Sequence, residues 1–358
     1  MKYYLANFSH DLAIAHDMTL YTPPPNVRAM ERDLAQISDF FAHKGELSYN
    51  PYAPVWGWDY TLVSKLRTCG FDGLPTDDDL KTIRRLSSRV TAVRVLECIK
   101  EAAGGLLPIC GESHVCRSQV ELESLNGHFV LKELLSGSGR GLRFVDGTIN
   151  NQQLNWALRC IRQQGGVDVE PYYDKLADFA FEFIVTDDDV CYKGLSLFQT
   201  NDNNSYAGNV IAPQSMLWQR LCHYFPKEAF EAVLKLLQQE LRKEFVGNYL
   251  GPLGVDMMIV KSGEGVAIHP CVEVNVRRTM GMMALDLSDL VSESVVVDFR
   301  LVYKKEQGEL LDYCRQLPGA SYDGDGKLSG GAVCLTPVVE DTHFVALIEV
   351  TGTVPEFL

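Results

Sequence analysis

The 358-residue sequence has ten cysteines yet no C-x-x-C pair. Thiols scattered from Cys69 to Cys334 signal neither a zinc ribbon nor a thioredoxin-like centre and read as packing residues. Cys110, His114, Cys116 and His128 share no compact ligand spacing. No apolar run approaches the ~18 residues that span a bilayer, and His10 and Asp11 interrupt the N-terminal stretch before it could serve as a signal peptide. A cytoplasmic protein with no membrane contact is expected. Positive charge is also scarce: 33 lysines and arginines face 47 aspartates and glutamates, a net charge of −14. That balance repels nucleic-acid backbones and anionic lipid at long range. It leaves room for a basic pocket holding one nucleotide, because pocket electrostatics act within about one Debye length, ~8 Å. Internal repeats, low-complexity segments and any Ser-His-Asp or Cys-His spacing are missing too.

What is present is ordinary globular composition, 46% hydrophobic and 22% charged, in a chain long enough for two or three domains at ~150 residues each. The fold class expected is α/β (α+β). Lys2 to Ala6 reads as a strand feeding the polar stretch Asn7 to Asp11, where an open α/β sheet presents ligand groups or where His10 and Asp11 merely cap a turn. Val27 to Phe41 carries a helical pattern, Trp56 to Asp59 a loop opening a helix, and Thr76 to Asp79 a helix start. A first α/β domain is expected over 1–86. From Ser88 a helix runs to Ala103, where Gly104-Gly105 stops it. Strand-like segments then follow at Val115–Arg117, Phe129–Leu135, Leu142–Val145, Val167–Tyr173, Phe179–Val185 and Val190–Phe198. Phe230 to Phe245 is amphipathic, and Gly331–Pro337 with His343–Val350 reads as a closing hairpin.

Two segments carry chemistry. In the first, Lys132 lies on the strand-like segment Phe129–Leu135 and Ser136-Gly137-Ser138-Gly139-Arg140-Gly141 follows. Glycines at alternate positions bare the backbone N–H groups to an anion such as phosphate. A dinucleotide fold needs this loop to open a helix, and a P-loop needs Lys-Ser or Lys-Thr after the last glycine. Here the loop leads into a second strand, so it is a flap over a triphosphate or an ordinary glycine hairpin. In the second, Val255 to Val260 and Val266 to Val276 pair about the turn near Gly263. A two-residue turn at Glu264-Gly265 sets Asp256 opposite Glu273, and a four-residue turn sets it opposite Cys271. Both registers keep one parity, so Asp256, Glu273 and Asn275 share a face, with Arg277 next along. Two carboxylates and an amide oxygen suit Mg²⁺; a solvated polar face is the alternative.

Together, in this order and about 120 residues apart, these segments resemble the ATP-grasp superfamily, of carboxylate–amine ligase type, over roughly 87–290. The resemblance implies a two-lobed fold of antiparallel sheets flanked by helices: a small lobe at 87–166 with the glycine flap, a large lobe at 167–295 with the metal site, and a C-terminal β extension at 296–358. It implies that Lys132, Arg89 and Ser136, Gly137, Ser138, Gly139 and Gly141 hold ATP phosphates. Val167 to Tyr173 would be the hinge strand that reads adenine, with Glu170 and Tyr172 contacting the nucleotide and Asp178 the ribose. Asp256, Glu273 and Asn275 would bind magnesium, two ions in that family. Two departures stand out: Arg89 replaces the usual lysine, and Val276 replaces a proline, followed by Arg278, so the catalytic arginine is Arg277 or Arg278.

The implied reaction joins a small carboxylate to an amine, or extends a peptide, through an acyl phosphate, releasing ADP and phosphate. An ATP-dependent kinase and a non-catalytic nucleotide-binding module are the alternatives. The sequence is silent on the identity of acid and amine and on oligomeric state.

Overall fold

The computed structural model describes residues 6–16, 18–42, 55–137, 141–200 and 206–354. The strand expected over Lys2 to Ala6 lies outside these residues except for Ala6. The described part of the first 86 residues is helical: α1 (His10–Ala15), α2 (Pro25–Asp33), α3 (Asp39–Ala42), α4 (Tyr60–Thr68) and α5 (Asp77–Leu86). A 3₁₀ turn at Ala35–Ser38 divides what the periodicity suggests is one helix. Asp59 caps α4 by accepting from Leu62 N at 2.8 Å. Thr76 and Asp79 form a capping box on α5, which satisfies end groups the helix cannot satisfy itself.

Next come α6 (Arg89–Ala103), β1 (His114–Cys116), α7 (Gln119–Glu123), β2 (Asn126–Glu133), β3 (Leu142–Thr148), α8 (Asn151–Gln164) and β4 (Val167–Pro171). The four strands make one sheet in the order β1-β4-β2-β3. Lys132 pairs with Leu142, so the glycine loop does join two strands. Its core is Phe129, Leu131, Val167 and Val169 against Trp156, Ala157 and Cys160 of α8.

The second sheet takes β5 (Lys175–Val185), β6 (Val190–Thr200), β7 (Tyr206–Ile211), β8 (Gly251–Ser262), β9 (Gly265–Asn275), β10 (Val295–Tyr303), β13 (Ala332–Cys334) and β14 (Phe344–Thr353). Their order is β13-β14-β10-β7-β6-β5-β8-β9. A separate ribbon pairs β11 (Ser321–Tyr322) with β12 (Leu328–Gly330). Helices α9 (Gln214–Leu221), α10 (Lys227–Phe245), α11 (Met280–Leu287) and α12 (Glu309–Arg315) complete the chain. Among the described residues no helix is long and apolar enough to cross a membrane.

Alternation along β5 explains the layering. Phe179, Phe181 and Phe183 are fully buried in a core shared with α6 and α10, which sends Asp178, Ala180 and Glu182 to the opposite face.

Packing moves two expected boundaries. Ala92, Val95, Leu96 and Ile99 of α6 share a core with the N-terminal helices and the large sheet, separate from the core between the small sheet and α8. Conversely β4 belongs to the small sheet, paired with β1 and β2, so the lobes meet after Pro171. The C-terminal strands are no appendage, because β10 pairs with β7 and carries β14 on its other edge.

Candidate active site

The two sheets face each other across a cleft of about 470 Å³. Its walls include Arg89, Lys132, Glu170, Tyr172, Asp178, Asp256, Glu273, Asn275 and Arg277. Nine of the residues singled out in the sequence are thus brought together by elements from both lobes.

On the small-lobe side, Lys132 of β2 donates to the Glu170 carboxylate of β4, and both are nearly fully buried. Asp168, on the same strand, is 1% exposed, and burial and then Glu170 raise its pKa. Arg89 compensates from the first turn of α6. Its Nη2 lies 3.0 Å from Glu273 Oε1, and its Nε donates to Glu133 O at 3.1 Å. Burial opposes the Arg89 charge, yet Glu273, Asp168 and Glu170 together keep its pKa above the ordinary value. Tyr172 stands at the mouth, edge-on to Phe144 with ring centres 5.8 Å apart.

On the large-lobe side, the β8–β9 hairpin settles the register. Ser262 pairs with Gly265, so the turn is Gly263-Glu264, and Met258 pairs with His269. Continued unchanged, this register would set Asp256 opposite Cys271. Instead the ladder shifts and Asp256 pairs with Glu273. The extra residues of β9 include Pro270, which has no N–H to give a ladder and is at home in a bulge. Because the shift is even, the expected shared face survives. Asn275 Nδ2 donates to Asp256 Oδ2 at 3.1 Å. Burial, then the facing Glu273, push Asp256 up to about 7. Asp178 accepts from Thr200 Oγ1 at 3.1 Å and pairs with Lys175 Nζ at 2.6 Å.

The two arginines separate cleanly. Arg277 lines the cleft and forks onto Asp11, Nε to Oδ1 at 2.7 Å and Nη2 to Oδ2 at 2.9 Å. Arg278 is 1% exposed, pairs with Asp286 of α11 and does not line the cleft. Of the glycine loop, Ser138 and Gly139 lie outside the described residues. Ser136, Gly137 and Gly141 are described but do not line the cleft, so a place for them at the nucleotide is not visible here. Gly137 instead packs directly on Asp11.

Sequence reading missed the floor. Glu182 is 1% exposed, and burial and then Asp256 raise it to about 8, with Thr279 Oγ1 donating at 2.8 Å against that trend. Ser196, Asn209, Thr279 and Gly281 complete that end. The available signal was the single acid among Phe179, Phe181 and Phe183.

As ligands, Asp256, Glu273 and Asn275 offer hard oxygen atoms. Among the described residues no group of three or more His, Cys, Asp or Glu forms a protein-only metal cage. Such a donor set fits an ion that takes its other ligands from water and phosphate, as Mg²⁺ does.

No family model and no curated protein sequence matches the chain. Solved structures do. One is the biotin carboxylase domain of a 2-oxoglutarate carboxylase from Hydrogenobacter thermophilus, in complex with MgADP, ADP and bicarbonate. It is 13% identical with a TM-score of 0.49, over 95% of this chain and 82% of that one. A carboxyaminoimidazole ribonucleotide synthase from Aspergillus clavatus complexed with ATP is 13% identical with a TM-score of 0.47, over 82% and 75%. An L-amino acid ligase from Bacillus licheniformis is 13% identical with a TM-score of 0.43, over 93% and 82%. With identities this low and TM-scores under 0.5 these likenesses carry no argument, and the cleft stands on its own geometry. Two antiparallel sheets close over one cleft, with a strand lysine on one side and the Asp256–Glu273 hairpin on the other. This is the architecture of antiparallel sheets flanked by helices that the sequence resemblance leads one to expect.

Proposed function

We propose that the chain is an ATP- and Mg²⁺-dependent carboxylate–amine ligase acting on small molecules or a peptide. The observation that carries this reading is the convergence in one cleft of Lys132 from the small sheet, Arg89 from the start of α6, and Asp256, Glu273, Asn275 and Arg277 from the β8–β9 hairpin and its end. Phosphoryl transfer is catalysed chiefly by positioning and charge neutralisation, so cations are required around the transferred group.

In this mechanism adenine lies against the strand around Glu170 and Tyr172, and Asp178 holds the ribose. Lys132 and Arg89 neutralise the phosphates. Asp256, Glu273 and Asn275 would hold Mg²⁺, which would supply charge neutralisation to the phosphates. A substrate carboxylate oxygen attacks the γ-phosphorus, the bond to the ADP oxygen breaks, and ADP carries away the electron pair. Arg277 faces the resulting acyl phosphate. An amine then adds to the acyl carbon, phosphate leaves, and the nitrogen gives up a proton, forming an amide.

The test is hydroxylamine trapping during ADP release with pooled carboxylates. Hydroxamate formation dependent on MgATP is the expected result. A stable phosphorylated product without hydroxamate would replace the ligase with a kinase. Nucleotide binding with no turnover on any carboxylate, amine or alcohol would leave a binding module.

A further inference from the structure

Asp11 and Arg277 are 266 residues apart in sequence and meet in a two-point ion pair at the cleft. Three of the five guanidinium N–H groups are engaged, two by Asp11 and one by Arg278 O at 3.1 Å. Among the described residues, one N–H on each Nη takes no further partner. Burial works to raise the Asp11 carboxyl, but Arg277 holds it below its usual value, so it is an anion. Behind it stands Gly137, where any Cβ would overlap Asp11 Oδ2. The carboxylate is therefore boxed in by backbone on one side and by the guanidinium on the other.

Both partners hang on the same loop. Asn7 Nδ2 donates to Gly57 O and to Asp59 Oδ2, each at 2.8 Å. The His10 ring sits flat where a Gly57 Cβ would be, and Arg278 N donates to Trp56 O at 2.8 Å. The stretch 56–59 thus fixes the start of α1 and the backbone after Arg277 in one frame.

We propose that Asp11 is a positioning residue for the reaction: by binding one edge of Arg277 it aims the other edge at the phosphoryl oxygens of the acyl phosphate. This rests on the ligase reading given above. A planar fork held at two points has one orientation, whereas an arginine held only by its stem samples many. Misplacing a catalytic group by 1 Å costs up to about a hundredfold.

Asp11→Asn keeps the shape and replaces one acceptor oxygen by a donor facing a guanidinium N–H. It should lower kcat by about tenfold or more while KM for ATP stays within about threefold. In an Arg277→Ala background the same substitution should cost less than about twofold, because coupled residues do not add. Asp11→Glu should not rescue, since the added methylene meets Gly137. A kcat within about twofold of wild type, a rise in kcat, or equal losses with and without Arg277 would each overturn the proposal. Failure of the ligase reading shows separately, as wild-type protein that makes no hydroxamate. The Asp11 inference is then read from binding of inorganic phosphate, whose Kd should rise about tenfold in both Asp11→Asn and Arg277→Ala. An unchanged Kd in Asp11→Asn would reject it.

Discussion

Arg89 Nη2 lies 3.0 Å from Glu273 Oε1, which ties the first turn of α6 to the strand that carries the metal-ligand candidates. The contact makes Arg89 a counter-charge, beside Lys132 and Arg277, for Glu273, Asp168 and Glu170. Arg89→Met should leave Glu273, Asp168 and Glu170 undercompensated and cost about 3–5 kcal/mol, the usual result of breaking a buried pair from one side. Arg89→Lys should recover part of that. Urea unfolding measures it, and a loss below about 1 kcal/mol would mean that water already screens the site.

MgATP should stabilise the fold by about 2.7 kcal/mol at a hundredfold excess over its dissociation constant. Asp256→Asn and Glu273→Gln should remove the Mg²⁺-dependent part and keep the part due to ATP alone. Thermal shifts that are the same with and without Mg²⁺ in wild type would rule out the metal assignment.

Arg277 and Arg278 should respond differently to alanine. Arg278 is buried against Asp286, so its loss should destabilise by about 3–5 kcal/mol. Arg277→Ala leaves only the half-buried Asp11 unpaired, so it should destabilise less than Arg278→Ala and lose turnover far more than ATP affinity. Paired stability and kinetic measurements on both variants decide this, and the reverse pattern would move the catalytic role to Arg278.

Gly281, in the first turn of α11, has no room for a side chain, because a Cβ would overlap Glu182 Oε1 and Ser196 Oγ. Gly281→Ala should therefore destabilise by about 1–3 kcal/mol despite its better helix propensity. An alanine variant as stable as wild type would show that the cleft floor yields.

His269 is fully buried beside Tyr173, ring centres 5.4 Å apart. Burial, then Lys132, lower its pKa to about 3, whereas the unfolded residue titrates near ~6.5. Between those values the unfolded state binds the extra proton. Stability should thus be unaffected above ~6.5 and fall as pH drops below it, by up to ~1.4 kcal/mol per unit from this residue. His269→Phe keeps a ring and removes the proton site, so its stability should decline less steeply in urea titrations from pH 7 to pH 4. Parallel profiles for the two proteins would assign the acid sensitivity elsewhere.

Local pattern determined a good deal of this protein. The period-two alternation placed Asp256, Glu273 and Asn275 on one face before the register was known, because any even shift preserves parity. The helix starts at Thr76 and Ser88, the stop at Gly104 and the strand–glycine–strand order around Lys132 were likewise legible, since caps and glycine geometry act within a few residues. Tertiary structure decided what local pattern cannot carry. It set Arg277 in the cleft wall and Arg278 against Asp286 of α11, and it shifted the β8–β9 ladder at Pro270. It gave α6 to the large lobe and β4 to the small one. It also brought Asp11 to Arg277 and set Glu182 at the cleft floor. Each of these depends on which surfaces meet across long stretches of chain, and such contacts leave no periodic trace in the sequence between them.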